Sequence, residues 1–207
     1  MTDLQTAWEQ DYRTRGCLWG GAPVLLPGIP AGTRVLDIGC GNGKTLGALV
    51  KYSSDITAID FSKEAVAMSR RFLASYDSGD VLVADGRRLP FVDDAFGGVV
   101  ARHVIGHLHK EGRMTIASEA ARVLQPCGRL FFLEFSTDDM RNGTGREMEE
   151  NTYCRATGII THYFTEPEVE ALFVGLRKEF ISTRSWKMRI RGRDLNRAEI
   201  VAVFSKS

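Results

Sequence analysis

The stretch VLDIGCGNGKT, residues 35–45, restricts the fold more than any other part of the chain. An apolar run passes through an acid, Asp37, and then breaks into glycines at every second position, Gly39, Gly41 and Gly43. Glycine accepts positive φ and lets a ligand approach the backbone, so this is a strand that runs into a tight binding turn. Similar apolar runs recur at 55–60 (DITAID), 80–85 (DVLVAD), 97–102 (GGVVAR) and 128–135 (GRLFFLEF). Their Val, Ile, Leu and Phe are continuous rather than alternating, as in parallel strands buried on both faces. Between them lie helical patterns at LGALVKY, SKEAVAMSRRFLASY and EGRMTIASEAARVL. Ser62 suits an N-cap, and Pro126 with Gly128 closes the helix that ends at Leu124. The tail predicts a helix at EPEVEALFVGLRKEF and then a long hairpin, ISTRSWKMRI and EIVAVFSK, joined by RGRDLNRA. Residues 136–164 show no period, and a segment of that length is either a functional lid or disordered; its aromatic and apolar residues favour the lid.

Three ligands compete for the glycine turn. A phosphate loop needs glycine with four residues between it and the Gly43-Lys44 pair, where Ile38 stands, so GKT is only a fragment of that motif. The dinucleotide fingerprint G-x-G-x-x-G meets Lys44 in one frame and Leu46 in the other, and fails in both. Asp37 would repel a pyrophosphate and attract a cation. S-adenosylmethionine carries an ammonium and a sulfonium and no phosphate, so its charge suits the loop. Two further acids close later strands. Asp60 is placed to accept from ribose hydroxyls, and Asp85 with the backbone of Gly86 to read an adenine edge, with Phe61 or Leu89 as an apolar face for the ring. Either acid alone could equally be a turn or cap residue.

VLDIGCGNGK, ITAIDFS, VADGRRLPF, DAFGGVVARHVIGHL and RVLQPCGRLFFLEF together resemble the successive motifs of the class I S-adenosylmethionine-dependent methyltransferases, in the branch called methyltransferase type 11. The resemblance covers residues 33–135. It implies an α/β, Rossmann-like doubly wound sheet of seven strands, mostly parallel with a C-terminal antiparallel hairpin and with helices on both faces. It also implies S-adenosylmethionine as cofactor and S-adenosylhomocysteine as product. Carried over by position, Asp37, Gly39, Gly41 and Gly43 surround the methionine part, Asp60 meets the ribose and Asp85 the adenine, with Arg102 or His103 near the sulfonium; Cys40, Phe61 and Gly86 are counted with the cofactor-binding residues. Two departures, Phe96-Gly97 for Phe-Asp and Pro126-Cys127-Gly128 for Pro-Gly-Gly, fall in turns.

The acceptor is less constrained. ARHVIGHL after the fourth strand lacks the Asn/Asp-Pro-Pro-aromatic tetrad of methylases that act on amide or exocyclic amine nitrogens. Transfer from a sulfonium needs positioning and dryness, and a base only where the acceptor must lose a proton. His103, His162 and Tyr163 are the candidate catalytic residues. His103 and His107 share a helical spacing, but nothing completes a metal set and no metal is expected. His107 is expected to pack, and Glu134 points toward the crevice or is a solvated strand end. Residues 1–30, with Trp8, Tyr12 and Trp19, are expected to cover the cofactor, with Tyr12 and Trp19 in contact with it. Residues 136–165, with Arg141, Tyr153 and Arg155, form the acceptor lid.

The 207 residues suffice for one domain. A net charge of +1 argues against a chain-wide nucleic-acid footprint. Arg184, Lys187, Arg189, Arg191, Arg193 and Arg197 nevertheless concentrate in the hairpin, as an RNA contact or as charges guarding an edge strand. A small-molecule acceptor is the first expectation. A tRNA substrate, with a small activating protein, is the second, and a non-catalytic sensor of the cofactor the third. Cys17, Cys40, Cys127 and Cys154 form no CxxC pair, and no apolar signal or membrane span is present, so a cytoplasmic protein is expected.

Overall fold

The computed structural model describes residues 3–15, 29, 32–53, 55–76 and 78–207. In chain order the elements are α1 (Asp3–Arg15), β1 (Val35–Ile38), α2 (Leu46–Leu49), β2 (Ile56–Asp60), α3 (Lys63–Leu73), β3 (Asp80–Val83) and β4 (Phe96–Arg102). There follow a 3-10 turn (Ile105–His107), α4 (Lys110–Val123), β5 (Leu124–Phe135), β6 (Arg146–Glu149), β7 (Thr152–Cys154) and β8 (Ile160–His162). The chain ends in α5 (Glu166–Leu172), β9 (Arg177–Ile190) and β10 (Arg193–Ser205).

Seven strands form one sheet in the order β3-β2-β1-β4-β5-β10-β9. The pairs from β3 to β5 are parallel, and β10 runs antiparallel to both β5 and β9. The period of two along each strand divides the core. Leu36, Ile38, Val99 and Phe132 pack one face with Ile116, Ala120 and Val123 of α4, whereas Val35, Ala58, Val100 and Phe131 pack the other with Leu46, Leu49, Val66 and Leu73 of α2 and α3. Burying each large side chain contributes about 1.5–3 kcal/mol, so both faces must be covered for the sheet to hold. Ser62 caps α3 by accepting from the Ala65 amide. Chain order reverses between β1 and β4, and the crevice outside the carboxyl ends of such strands is where open α/β sheets bind ligands.

Three expectations change. Residues 136–164 hold the antiparallel sheet β6-β7-β8, whose strands of three or four residues are too short to show a period. The last helix stops at Leu172 rather than continuing to residue 180, because Phe173 turns into the core and the β-favouring run from Arg177 pairs with β10. RGRDLNRA is not a loop: only Arg191 and Gly192 turn, both at positive φ, and β10 starts at Arg193. Among the described residues no helix is long and apolar enough to cross a membrane.

Candidate functional site

A cleft of about 570 Å³, open mouth included, lies at the carboxyl ends of β1 to β4. Gly39 after β1, Asp60 and Phe61 after β2, Asp85 and Gly86 after β3, and His103 after β4 line it. One wall comes from α1, through Leu4, Trp8 and Tyr12. Their spacing of four residues puts all three on one helix face, a signal present in the sequence for Leu4 and Trp8 as well as for Tyr12. The helix is tied down by Gln5, which donates to the Phe61 carbonyl, and by Ser62, which donates to Glu9. Trp19 lies outside the described residues.

The glycines are required by contact as well as by conformation. At Gly39, φ +73°, a Cβ would lie 2.5 Å from Val104, and at Gly41, φ +55°, 2.7 Å from the Tyr12 hydroxyl. Gly43 adjoins Ser69 and Phe72 of α3, away from the cleft wall. Asp60 accepts from the Gly41 amide at 3.0 Å and the Ser62 amide at 2.9 Å, which fixes the loop and leaves lone pairs over. Burial pushes its carboxyl up to about 6, against the pull of those amides. The Tyr12 hydroxyl is pushed up as well, by burial and then by Asp60.

Asp37 lies beneath the loop, buried, and neither carboxyl oxygen has a hydrogen-bond partner among the described residues. Burial raises its pKa to about 8, with Arg102 pulling it down and Asp60 adding to the rise. A carboxyl so placed lacks a donor or a cation. Arg102 does not reach the cleft wall; it shares the field of Asp37, Glu199 and Glu134, and its Nε is buried without a hydrogen-bond partner among the described residues. Cys40 packs with Leu46 and Leu49, and burial pushes its thiol up. Asp85 is half exposed and already accepts three side-chain bonds from Arg87, at 2.6, 3.0 and 3.1 Å.

His103, at φ +51°, lines the cleft and stacks on Phe135 at 4.3 Å. Its Nδ1 lies 3.7 Å from Glu134 and its Nε2 3.4 Å from Glu199. Glu134 is neither a solvated strand end nor open to the crevice: it is buried and accepts from the Val104 and Gly106 amides, so it shapes the loop that carries the histidines. His107, expected only to pack, also lines the cleft. The other two catalytic candidates are not on the cleft wall. His162 spends both nitrogens on Thr152 and Glu168, each at 2.8 Å, and Tyr163 is buried against Phe135 and Tyr153. Among the described residues no group of His, Cys, Asp and Glu could hold a metal.

Residues 36–132 match a family described as a methyltransferase domain. Over that stretch, just under half of its length, the chain is similar to this methyltransferase family. The chain is 27% identical over its whole length to a tRNA N(3)-methylcytidine methyltransferase, Mettl2, of Drosophila melanogaster, and spans 72% of that protein. It is 36% identical over 58% of its length to a demethylmenaquinone methyltransferase of Clavibacter sepedonicus, of which it covers 48%. The chain spans about half the length of several other curated relatives it matches. A crystal structure of a SAM-dependent methyltransferase from Methanosarcina mazei has the same fold, with a TM-score of 0.73 at 23% identity over 88% of this chain and 98% of that one.

Proposed function

We propose that the cleft binds S-adenosylmethionine and that the methyl group passes to a small-molecule acceptor that enters beside His103 and His107. The observation that carries the reading is Asp37, a buried carboxyl with no hydrogen-bond partner among the described residues, beneath the glycine loop. Its empty hydrogen-bonding capacity, and the negative charge it takes on when a cation is beside it, fit an ammonium brought against the glycines. The residues assigned to the cofactor are Gly39 and Gly41 at the methionine part, Asp60 at the ribose through its remaining lone pairs, and Asp85, Gly86 and Phe61 around the base. S-adenosylmethionine supplies an electrophilic methyl carbon on a good leaving group. The chain's contribution is to hold, orient and dry the reactants, with Leu4, Trp8 and Tyr12 as an apolar roof.

A second reading has an observation of its own. β10 pairs with β5 only from Glu199 onward, so Arg193–Ala198 and their β9 partners extend past the sheet as a ribbon. Trp186 is 39% exposed there with Arg197 over its ring, and Lys187, Arg191 and Arg193 lie nearby in the same ribbon. An exposed aromatic among cations suits single-stranded RNA. Incubation with methyl-labelled S-adenosylmethionine, followed by separation of a cell extract into metabolite and RNA fractions, decides between the two. Label in the metabolites supports the first reading; label confined to RNA replaces it with the second.

A further inference from the structure

We propose that His107 is a catalytic residue whose Nε2 removes a proton from the acceptor, so that the acceptor is a nucleophile bearing a dissociable N–H, O–H or acidic C–H. This rests on the reading of the cleft as the methyl-transfer site. His107 Nδ1 lies 2.7 Å from the Ile160 carbonyl oxygen. A carbonyl only accepts, so Nδ1 carries the proton and Nε2 keeps its lone pair. The ring is held edge-on to Trp8, 4.8 Å between centroids, and the side chain lines the cleft with no further hydrogen bond among the described residues. Leu108, Ile116 and Trp8 make the surrounding wall apolar.

The other histidines stand beside acids. His103 Nε2 lies 3.4 Å from Glu199, and its Nδ1, which makes no hydrogen bond among the described residues, lies 3.7 Å from Glu134; both nitrogens of His162 are bonded, and His109 is exposed and bound to Glu149. The groups that act on the His107 ring are Glu134 from β5, His103 from the end of β4, Arg155 from beyond β7 and the Ile160 carbonyl of β8. Burial dominates and keeps the ring neutral below the usual histidine range, with His103 and Arg155 acting in the same direction and Glu134 and Ile160 against them. In the transfer, Nε2 takes the proton, and the pair it leaves on the acceptor atom forms the bond to the methyl carbon. The pair of the broken carbon–sulfur bond stays on sulfur, and the imidazolium then returns its proton to solvent.

The test has two arms. Long-range nitrogen-15 NMR of the imidazoles, with and without S-adenosylhomocysteine, is expected to show His107 protonated at Nδ1 and bare at Nε2 at neutral pH. His107→Asn, with His107→Gln as a second variant in case the first fails to fold, is expected to bind S-adenosylhomocysteine within about threefold of wild type. It should lose about 10²–10⁴-fold in labelled methyl transfer to the extract fraction that the wild type labels, and with it the fall in rate at acid pH. A proton on Nε2, or a folded variant that keeps the wild-type rate and acid limb, overturns the proposal. Failure of the wild type to bind S-adenosylhomocysteine instead overturns the reading of the cleft on which it rests.

Discussion

The half of the chain up to β5 and the half that follows it use buried polar groups in opposite ways. In the first, Asp37 is buried with both oxygens unpartnered among the described residues, and Asp60 is held up to about 6 although the backbone amides of Gly41, Phe61 and Ser62 pull it down. In the second, Asp139 binds Arg141, Arg197 and the Ala198 amide, Glu149 binds His109, the Lys110 amide and Arg113, and His162 sits between Thr152 and Glu168. The first region keeps charged groups open at its strand ends; the second pairs its acids and His162 to hold itself together, and leaves only uncharged oxygens, those of Asn142, Thr161 and Ser205, buried without a bond among the described residues. A buried histidine or acid is therefore not evidence of chemistry until its partners are counted. His162 and His107 lie in similar surroundings by sequence, and only the second has a nitrogen left over.

Breaking the second region should cost stability first. His162→Ala leaves Thr152 and Glu168 without their partner and a void beside Phe164. We expect a loss of about 2–4 kcal/mol in urea unfolding with S-adenosylhomocysteine affinity unchanged within about twofold. If affinity falls much further than stability, His162 belongs to the binding site after all. Breaking the first region should act on affinity: Asp60→Ala is expected to weaken S-adenosylmethionine about 10–100-fold by calorimetry, the size of a lost hydrogen bond to a charged group.

Asp37 sharpens the contrast through pH. Its carboxyl is near 3.8 when free and about 8 in the fold, so between those values the folded chain holds a proton that the unfolded chain releases. Stability from this group is present below about pH 4 and is lost as pH rises through about 8. Thermal unfolding of the ligand-free protein should drop across that window, and Asp37→Asn should flatten the drop; an unchanged slope would show that Asp37 is satisfied in solution. The smallest effect lies on the ribbon, where Arg189 and Asp194 are exposed and 3.3 Å apart. Arg189→Ala should change stability by less than about 0.5 kcal/mol in the same unfolding assay.

The parallel strands and the glycine turn were legible because burial on both faces writes continuous apolar runs and because a turn at positive φ asks for glycine. What joins them was not. That Asp60 fastens the loop through Gly41, that Asp85 is already engaged by Arg87, and that Glu134 bends the chain before His107 all depend on contacts between residues far apart or on rotamers. The segment 136–164 was opaque because its strands are shorter than any period that could reveal them. The overlong last helix has the opposite cause: a helical pattern ran on into Arg177–Phe180, where pairing with β10 wins.

The central claim is that the cleft at the ends of β1 to β4 is built for a cationic nucleoside. Titration calorimetry of S-adenosylmethionine into the wild-type chain tests it most directly. The account predicts saturable binding at one site per chain, abolished by crowding the loop with Gly41→Val in a variant that still folds. Absence of binding by the wild type, or binding that survives that substitution undiminished, would contradict it.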